Sequence, residues 1–109
     1  MSERIKKNFA LLEFLSTCGP TQMKTIITSS TPEQIKSLVE LVANVQFGSI
    51  SIPENHMSFI KAKKKLIRNI TSKQVTYKDR KALLADNTKL LTVILKFSLD
   101  EIRKLITDG

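Results

Sequence analysis

The hydrophobic positions recur at intervals of three and four residues along most of this 109-residue chain, which is the spacing of one helix face. The first apolar stripe consists of Ile5, Phe9, Leu12 and Leu15. It predicts a helix over about 3–17. Cys18-Gly19-Pro20 ends this helix, because glycine accepts the left-handed backbone that follows many helices and proline cannot continue one.

The next part of the chain divides at helix start and stop signals. A proline at the first position predicts a short helix over about 20–28. Thr31-Pro32-Glu33-Gln34 has the composition of a capping box and begins a helix that ends near Phe47-Gly48. Thr76 is the predicted cap of a later helix, which Asp86-Asn87-Thr88 breaks.

Further segments complete the predicted architecture. A helix over about 53–70 has a proline at its start. Near the C-terminus, Ser98-Leu99-Asp100-Glu101 resembles another capping box, so two helices are predicted, over about 88–97 and about 99–107. We therefore expect a single domain, 1–109, with an all-α fold: a compact bundle of roughly six or seven short helices joined by short loops.

The segment Leu90–Leu99 differs from the other helices because its apolar residues fall on every side of a helix. Such a helix either lies in the centre of the fold or is partly covered by another chain. The sequence therefore predicts either a central core helix or a homodimer formed through Leu90–Leu99.

All of the net positive charge lies in one segment, 61–81. This segment holds nine of the 18 basic residues and one acid, Asp79, so it alone accounts for the formal net charge of +8. The other residues carry equal numbers of basic and acidic side chains. A charge of this size in so short a segment indicates a polyanionic partner.

A helical projection of about 57–70 separates the apolar residues from the basic ones. The apolar arc contains Phe59, Ile60, Leu66, Ile67 and Ile70. Lys63 falls on this apolar side and has to extend its amine outward. The predicted phosphate-binding residues are the cations of the opposite arc together with those of the following loop and helix: Lys61, Lys64, Lys65, Arg68, Lys73, Lys78, Arg80 and Lys81.

Nucleic acid, either DNA or RNA, is the partner that this pattern favours. Lysines outnumber arginines in the segment by seven to two. Lysine binds phosphate as a point charge, whereas the arginine fork suits base edges, so we expect backbone contacts without strong sequence preference.

The alternatives are a solvated face without a partner, an acidic protein surface and an anionic membrane. The membrane ranks last, because the core needs the apolar arc and the chain has no tryptophan anchor. The rival function is a protein-interaction module, such as a capsid-internal or adaptor bundle, which binds an acidic partner or self-associates through Leu90–Leu99.

The chain shows no signature of catalysis. It has no glycine-rich phosphate loop, no Cys/His ligand set and no nucleophile with an adjacent base, so we expect no enzyme, no metal site, no cofactor and no small-molecule substrate. The one histidine, His56, is interpreted as a surface residue of a first helical turn. Cys18 is the single cysteine, and an interior without disulfides is typical of the nucleus or cytoplasm.

Most of the chain, from Leu11 to about Leu95, also resembles a known group of proteins. The shared pattern is Leu11-Leu12-Glu13-Phe14-Leu15, the stretch from Leu38 to Val45, Gly48 with Ile50 and Ile52-Pro53, Lys61, Lys63-Lys64-Lys65-Leu66-Ile67-Arg68, Thr76, Lys78, Arg80-Lys81 and Leu83-Leu84. It resembles the small basic proteins of Maverick/Polinton elements and the related adintoviruses. The resemblance implies a viral or mobile-element origin and a structural, virion-associated or DNA-condensing role, without catalytic residues.

Overall fold

The chain forms eight α-helices across the residues that the computed structural model describes, which are 2–108 for the backbone and 2–105 for the side chains. In chain order the helices are α1 (Glu3–Lys7), α2 (Phe9–Thr17), α3 (Pro20–Thr28), α4 (Pro32–Gln46), α5 (Glu54–Ala62), α6 (Lys64–Thr71), α7 (Tyr77–Ala85) and α8 (Thr88–Asp108). These residues include no strand, and the helices pack into a bundle with a radius of gyration of 13.0 Å. The prediction of an all-α bundle is confirmed.

The helix starts predicted at Thr31 and Thr76 lie where the sequence predicts them. At α4 the Thr31 hydroxyl accepts a hydrogen bond from the Gln34 backbone N–H (3.3 Å), and the Gln34 side-chain oxygen accepts one from the Thr31 N–H (2.9 Å). At α7 the Thr76 hydroxyl accepts from the Asp79 N–H (3.1 Å). These bonds satisfy backbone donors that have no partner inside the helix.

Two helices that the sequence predicts as continuous are each interrupted at one residue. Asn8 separates α1 from α2 and Lys63 separates α5 from α6, both with ψ near 10° instead of the helical value of about −42°. The Asn8 side-chain amide donates to the Arg4 carbonyl (2.8 Å), so a side-chain hydrogen bond satisfies this carbonyl at the break. At Lys63 the backbone N–H donates to Ile60, three residues back (3.0 Å), which tightens the turn.

The interruption at Lys63 also changes where this lysine lies. In a straight helix its side chain would point toward the core. In the structure its ammonium group lies over the ring of Phe59, 5.7 Å from the ring centroid. The charge thus meets the negative face of an aromatic ring instead of an aliphatic interior.

The predicted division of the C-terminal part into two helices is wrong, because α8 continues through Ser98. Ser98 is fully buried and caps nothing, since its hydroxyl has no hydrogen-bond partner among the described residues. Asp100 and Glu101 act elsewhere: Asp100 accepts from the Arg103 guanidinium (3.3 Å), and Glu101 accepts from the Ser51 backbone N–H (3.0 Å). The local capping pattern is overridden by an apolar stripe that spans the whole helix.

Helix α8 lies in the centre of the bundle, where α2, α3, α4 and α7 pack against it. Within the segment Leu90–Leu99 the buried apolar residues are Leu90, Leu91, Ile94, Leu95 and Leu99, and Val93 and Phe97 are half-buried. Most of the apolar surface of this segment is therefore covered by the chain itself. A homodimer through Leu90–Leu99 stays a prediction.

Two fully buried serines allow a matched test of the hydrogen bonding in this core. We expect Ser98→Ala to raise the free energy of unfolding by about 1 kcal/mol, because it removes a buried hydroxyl that has no partner. Ser37 is equally buried, but its hydroxyl donates to the Gln34 carbonyl (2.6 Å), so Ser37→Ala should lower that free energy by about 0.5–1.5 kcal/mol. Urea unfolding followed by circular dichroism measures both. A Ser98→Ala protein less stable than Ser37→Ala would contradict this interpretation.

Candidate nucleic-acid interface

Four cations of the basic segment are exposed on the outer face of α5 and α6, and we call them the basic face: Lys61, Lys64, Lys65 and Arg68. Their position follows from the inward packing of Ile60, Ile67 and Ile70, which are buried on the opposite side of the same two helices. This arrangement is the one that the helical projection predicts. The turn at Lys63 leaves it intact, because the cations before and after the turn stay exposed.

A cleft of about 460 Å³ lies between this face and the end of α4. Lys61, Lys64 and Arg68 are on its rim. The remaining lining residues are mostly apolar: Val45, Gln46, Phe47, Met57, Ile60 and Ile67. The Thr71 hydroxyl donates to the Gln46 side-chain oxygen (2.7 Å), which ties α6 to the end of α4 beside the cleft.

Phe47 is a feature of this cleft that the sequence analysis missed. Its side chain is 75% exposed, which is unusual for a phenylalanine at the end of a well-packed helix. Gly48 follows with a positive φ of 78°, and the next N–H, of Ser49, donates to the Asn44 carbonyl (2.8 Å). This glycine-dependent turn ends α4 and fixes the backbone at Phe47. The available signal was that Phe47 falls off the apolar stripe that runs through Leu38, Val42 and Val45.

Lys73 and Arg80 line a second cleft, of about 370 Å³, and Phe47 lines this cleft as well. Arg80 has a structural task there, because its Nε donates to the Ile70 carbonyl (2.8 Å) and its Nη2 donates to the Ser72 carbonyl. These carbonyls lie at the end of α6, where no further helical N–H can reach them. Arg80 thus adds charge to this side of the protein while two of its nitrogen atoms already donate to the backbone.

Lys78 and Lys81 lie apart from the basic face and line a cleft between α3 and α7. The Lys81 ammonium donates to the Ser30 carbonyl (3.1 Å) and lies 5.5 Å from the ring centroid of Tyr77. The Tyr77 hydroxyl donates to the same carbonyl (3.2 Å), so it joins α7 to the end of α3. The structure therefore brings the predicted residues of α5 and α6 together and places Arg80 of α7 in the neighbouring cleft, whereas Lys78 and Lys81 lie in a different cleft.

None of the nine cations in 61–81 forms an ion pair with any side chain that the structure describes. The ion pairs found there all use basic residues from outside this segment: Arg4, Lys6, Lys24, Lys36 and Arg103. Lys36 donates a hydrogen bond to Glu33 (3.4 Å), and this bond, with the charges of Lys36 and Arg4, holds the pKa of Glu33 below its ordinary value. The acids that form ion pairs thus neutralise basic residues outside 61–81, and the positive charge of 61–81 has no acidic partner among the described side chains.

The histidine and the cysteine both take part in packing. The ring of His56, in the first turn of α5, lies against Phe97 with 4.9 Å between centroids. The Cys18 thiol donates to the Phe14 carbonyl (3.2 Å). Within the described residues, no three His, Cys, Asp or Glu side chains converge in a way that could hold a metal ion. Nor does any described helix combine the length and apolar character needed to cross a bilayer.

No family model, curated protein or solved structure matches this chain. The resemblance to the proteins of Maverick/Polinton elements and adintoviruses stays a prediction.

Proposed function

We propose that this protein binds nucleic acid through phosphate contacts made by the basic face, without strong sequence preference. The observation that carries the proposal is the exposure of four neighbouring cations that have no acidic partner among the described side chains. Like charges three and four residues apart repel on a helix by a few tenths of a kcal/mol per pair, roughly 0.2–0.5 kcal/mol. A polyanion reverses this cost, because each phosphate that it brings neutralises a cation and releases counterions.

The composition of the basic face favours the phosphate backbone over the bases. Three of its four members are lysines, whose ammonium groups accept many phosphate orientations. Arg68 is the one guanidinium of the face, and it lies at the rim of a cleft between helices. Reading a base sequence relies on side chains that reach base edges, most often arginine forks, and this face has one arginine against three lysines.

The other predicted residues contribute to this binding to different extents. Lys73 is exposed and extends the positive surface beyond Phe47. Arg80 and Lys81 already donate to backbone carbonyls, so we assign them a contribution of charge and not of new hydrogen bonds. Lys78 lines the cleft between α3 and α7 and not the clefts beside Phe47, so we assign it no part in the main contact.

A second candidate function is a protein-interaction module that binds an acidic partner. The cleft beside the basic face favours it, because an apolar floor with a cationic rim suits an amphipathic segment flanked by acids. The state of the purified protein separates the two candidates. Nucleic acid that co-purifies and is removed by high salt supports the first, whereas a co-purifying acidic protein supports the second.

Titration of nucleic acids over a range of salt concentrations tests the proposed function. We expect binding of DNA and RNA fragments of unrelated sequence with similar affinity, and a logarithm of the binding constant that falls steeply and linearly with the logarithm of salt concentration. For four phosphate contacts the slope is about −2.8 on single strands and about −3.6 on duplexes. Fluorescence anisotropy of end-labelled fragments gives both quantities. Absence of binding, or an affinity insensitive to salt, would refute the proposal.

A further inference from the structure

We propose that Phe47 is a stacking platform for an unpaired base, and hence that the preferred partner is a single-stranded nucleic acid. This inference rests on the proposed function and specifies its ligand. Single-strand binding proteins combine cations that follow the backbone with an exposed aromatic ring on which a base stacks. Phe47 and the basic face supply both parts within one region of the surface.

The ring of Phe47 is available for stacking. It is the most exposed of the large hydrophobic side chains in the part of the chain that the structure describes. The other aromatic rings near cations are already in use, because Lys63 and Lys89 lie over Phe59 and Lys81 lies over Tyr77. No such contact within the described residues involves Phe47.

The backbone that carries this ring is held in place before any ligand binds. The N–H of Phe47 donates to the Ala43 carbonyl (2.9 Å), which continues the hydrogen bonding of α4 to its last turn. The Gly48 turn follows directly, and the bond from Thr71 to Gln46 fixes the neighbouring helix. A rigid aromatic side chain with few torsions loses little conformational entropy when a base stacks on it.

Cations lie on both sides of the ring. Phe47 is the residue that the two clefts share: one has Lys61 and Lys64 on its rim, and the other has Lys73. A strand that crosses the end of α4 therefore passes from one set of cations to the other with a base over the ring. The first cleft is lined by cations and no acid, and the second has one acid, Glu40, against four basic residues, so both suit a polyanion along this path.

An unpaired strand fits this surface better than a duplex. In a duplex the bases are stacked on each other, and a phenylalanine reaches them only as a wedge that unstacks and kinks the helix, which costs a few kcal/mol per step, about the gain from one stacked base. The bases of a single strand are not held by pairing, and those of an oligothymidylate stack little on each other, so the same ring gains the stacking energy at a much lower cost. The Phe47 ring therefore favours binding of a single strand over binding of a duplex.

Substitution of Phe47 tests this inference with a ligand that lacks duplex structure. We expect Phe47→Leu to weaken binding of an oligothymidylate of about 15 nucleotides by at least about 5-fold, since leucine keeps the apolar surface but cannot stack. The salt slope should stay that of the wild type, because no charge is changed. Phe14→Leu is the matched control: Phe14 is also exposed, but it belongs to α2 and lines none of the clefts around the basic face. It should leave the affinity unchanged.

A tryptophan at the same position gives a direct optical readout, because the chain contains none. We expect the fluorescence of Phe47→Trp to be quenched by oligothymidylate and to stay unchanged with inorganic polyphosphate, which carries the charge without the bases. Equal responses to both ligands, or a Phe47→Leu affinity equal to that of the wild type, would overturn the stacking role and leave the proposed function standing. A wild-type protein that prefers a duplex would overturn the choice of single strand. A wild-type protein that binds no nucleic acid, and an acidic peptide instead, would overturn both.

Discussion

Replacement of the basic face by glutamine is expected to remove most of the affinity of this protein for nucleic acid. The variant Lys61→Gln, Lys64→Gln, Lys65→Gln, Arg68→Gln should bind about a hundred- to thousandfold more weakly near 0.1 M salt, because each phosphate contact contributes about 0.7–0.9 to the salt slope. The slope itself should flatten by about 2.8 on a single strand. Stability should be unchanged or slightly higher, since a row of like charges is removed and glutamine is a good helix former. Anisotropy titrations and urea unfolding measure the two effects.

A variant with the same change of net charge at other places separates location from total charge. Four exposed cations outside the basic segment serve this purpose: Lys6, Lys7, Lys96 and Lys104. Their replacement by glutamine lowers the net charge by the same four units but should leave most of the affinity and of the salt slope. Equal losses in the two variants would mean that binding depends on overall charge and not on the basic face. Loss of binding to one sequence alone would mean that bases are read.

The second large effect is expected in α8, where a charge introduced into the core should prevent folding. Leu95 is fully buried, so Leu95→Glu places an unpaired carboxylate among aliphatic side chains and should cost more than about 4 kcal/mol. Thr92→Glu is the control on the same helix, because Thr92 is exposed and should tolerate the change within about 0.5 kcal/mol. Far-UV circular dichroism distinguishes the unfolded variant from the folded one.

Val93 extends this test to the predicted homodimer. It is half-buried, so in a monomer Val93→Glu should cost less than Leu95→Glu. If Leu90–Leu99 forms a dimer contact, the same change should give a folded monomer from a dimeric wild type. Light scattering with size-exclusion chromatography reports the mass directly. A wild type that stays monomeric at high concentration would exclude the dimer.

The helix starts could be predicted from sequence wherever the signal is local. Thr31 and Thr76 form bonds with residues three positions away, so a short pattern contains all the information. Ser98 shows the limit of this reasoning: the residues that follow it suit a helix start, but burial of the stripe around it keeps α8 continuous. The interruptions at Asn8 and Lys63 could not be predicted, because no proline or glycine lies at either position.

The candidate site divides in the same way. The outward position of the basic face follows from the period of one amphipathic stretch, so the sequence predicts it. The position of Arg80 depends on the Ile70 carbonyl, which belongs to another helix, α6. The position of Lys81 depends on the Ser30 carbonyl, which is 51 residues away in sequence. Such partners are fixed only when the helices pack. Phe47 is an intermediate case: its position off the apolar stripe of α4 indicates exposure, but the two clefts that it lines form only when the helices pack.

The concentration of unpaired positive charge in one segment makes the charge distribution of the molecule asymmetric, so an electric field orients it. Since the part of the chain outside 61–81 is electrically balanced, the whole net charge of +8 belongs to the basic segment. A polyanion exerts a torque on such a charge distribution and turns the approaching molecule before contact. This orientation operates within about a Debye length, roughly 8 Å at physiological ionic strength. Most collisions at low salt then begin with the same side of the protein, and the association rate constant rises because fewer encounters have to reorient.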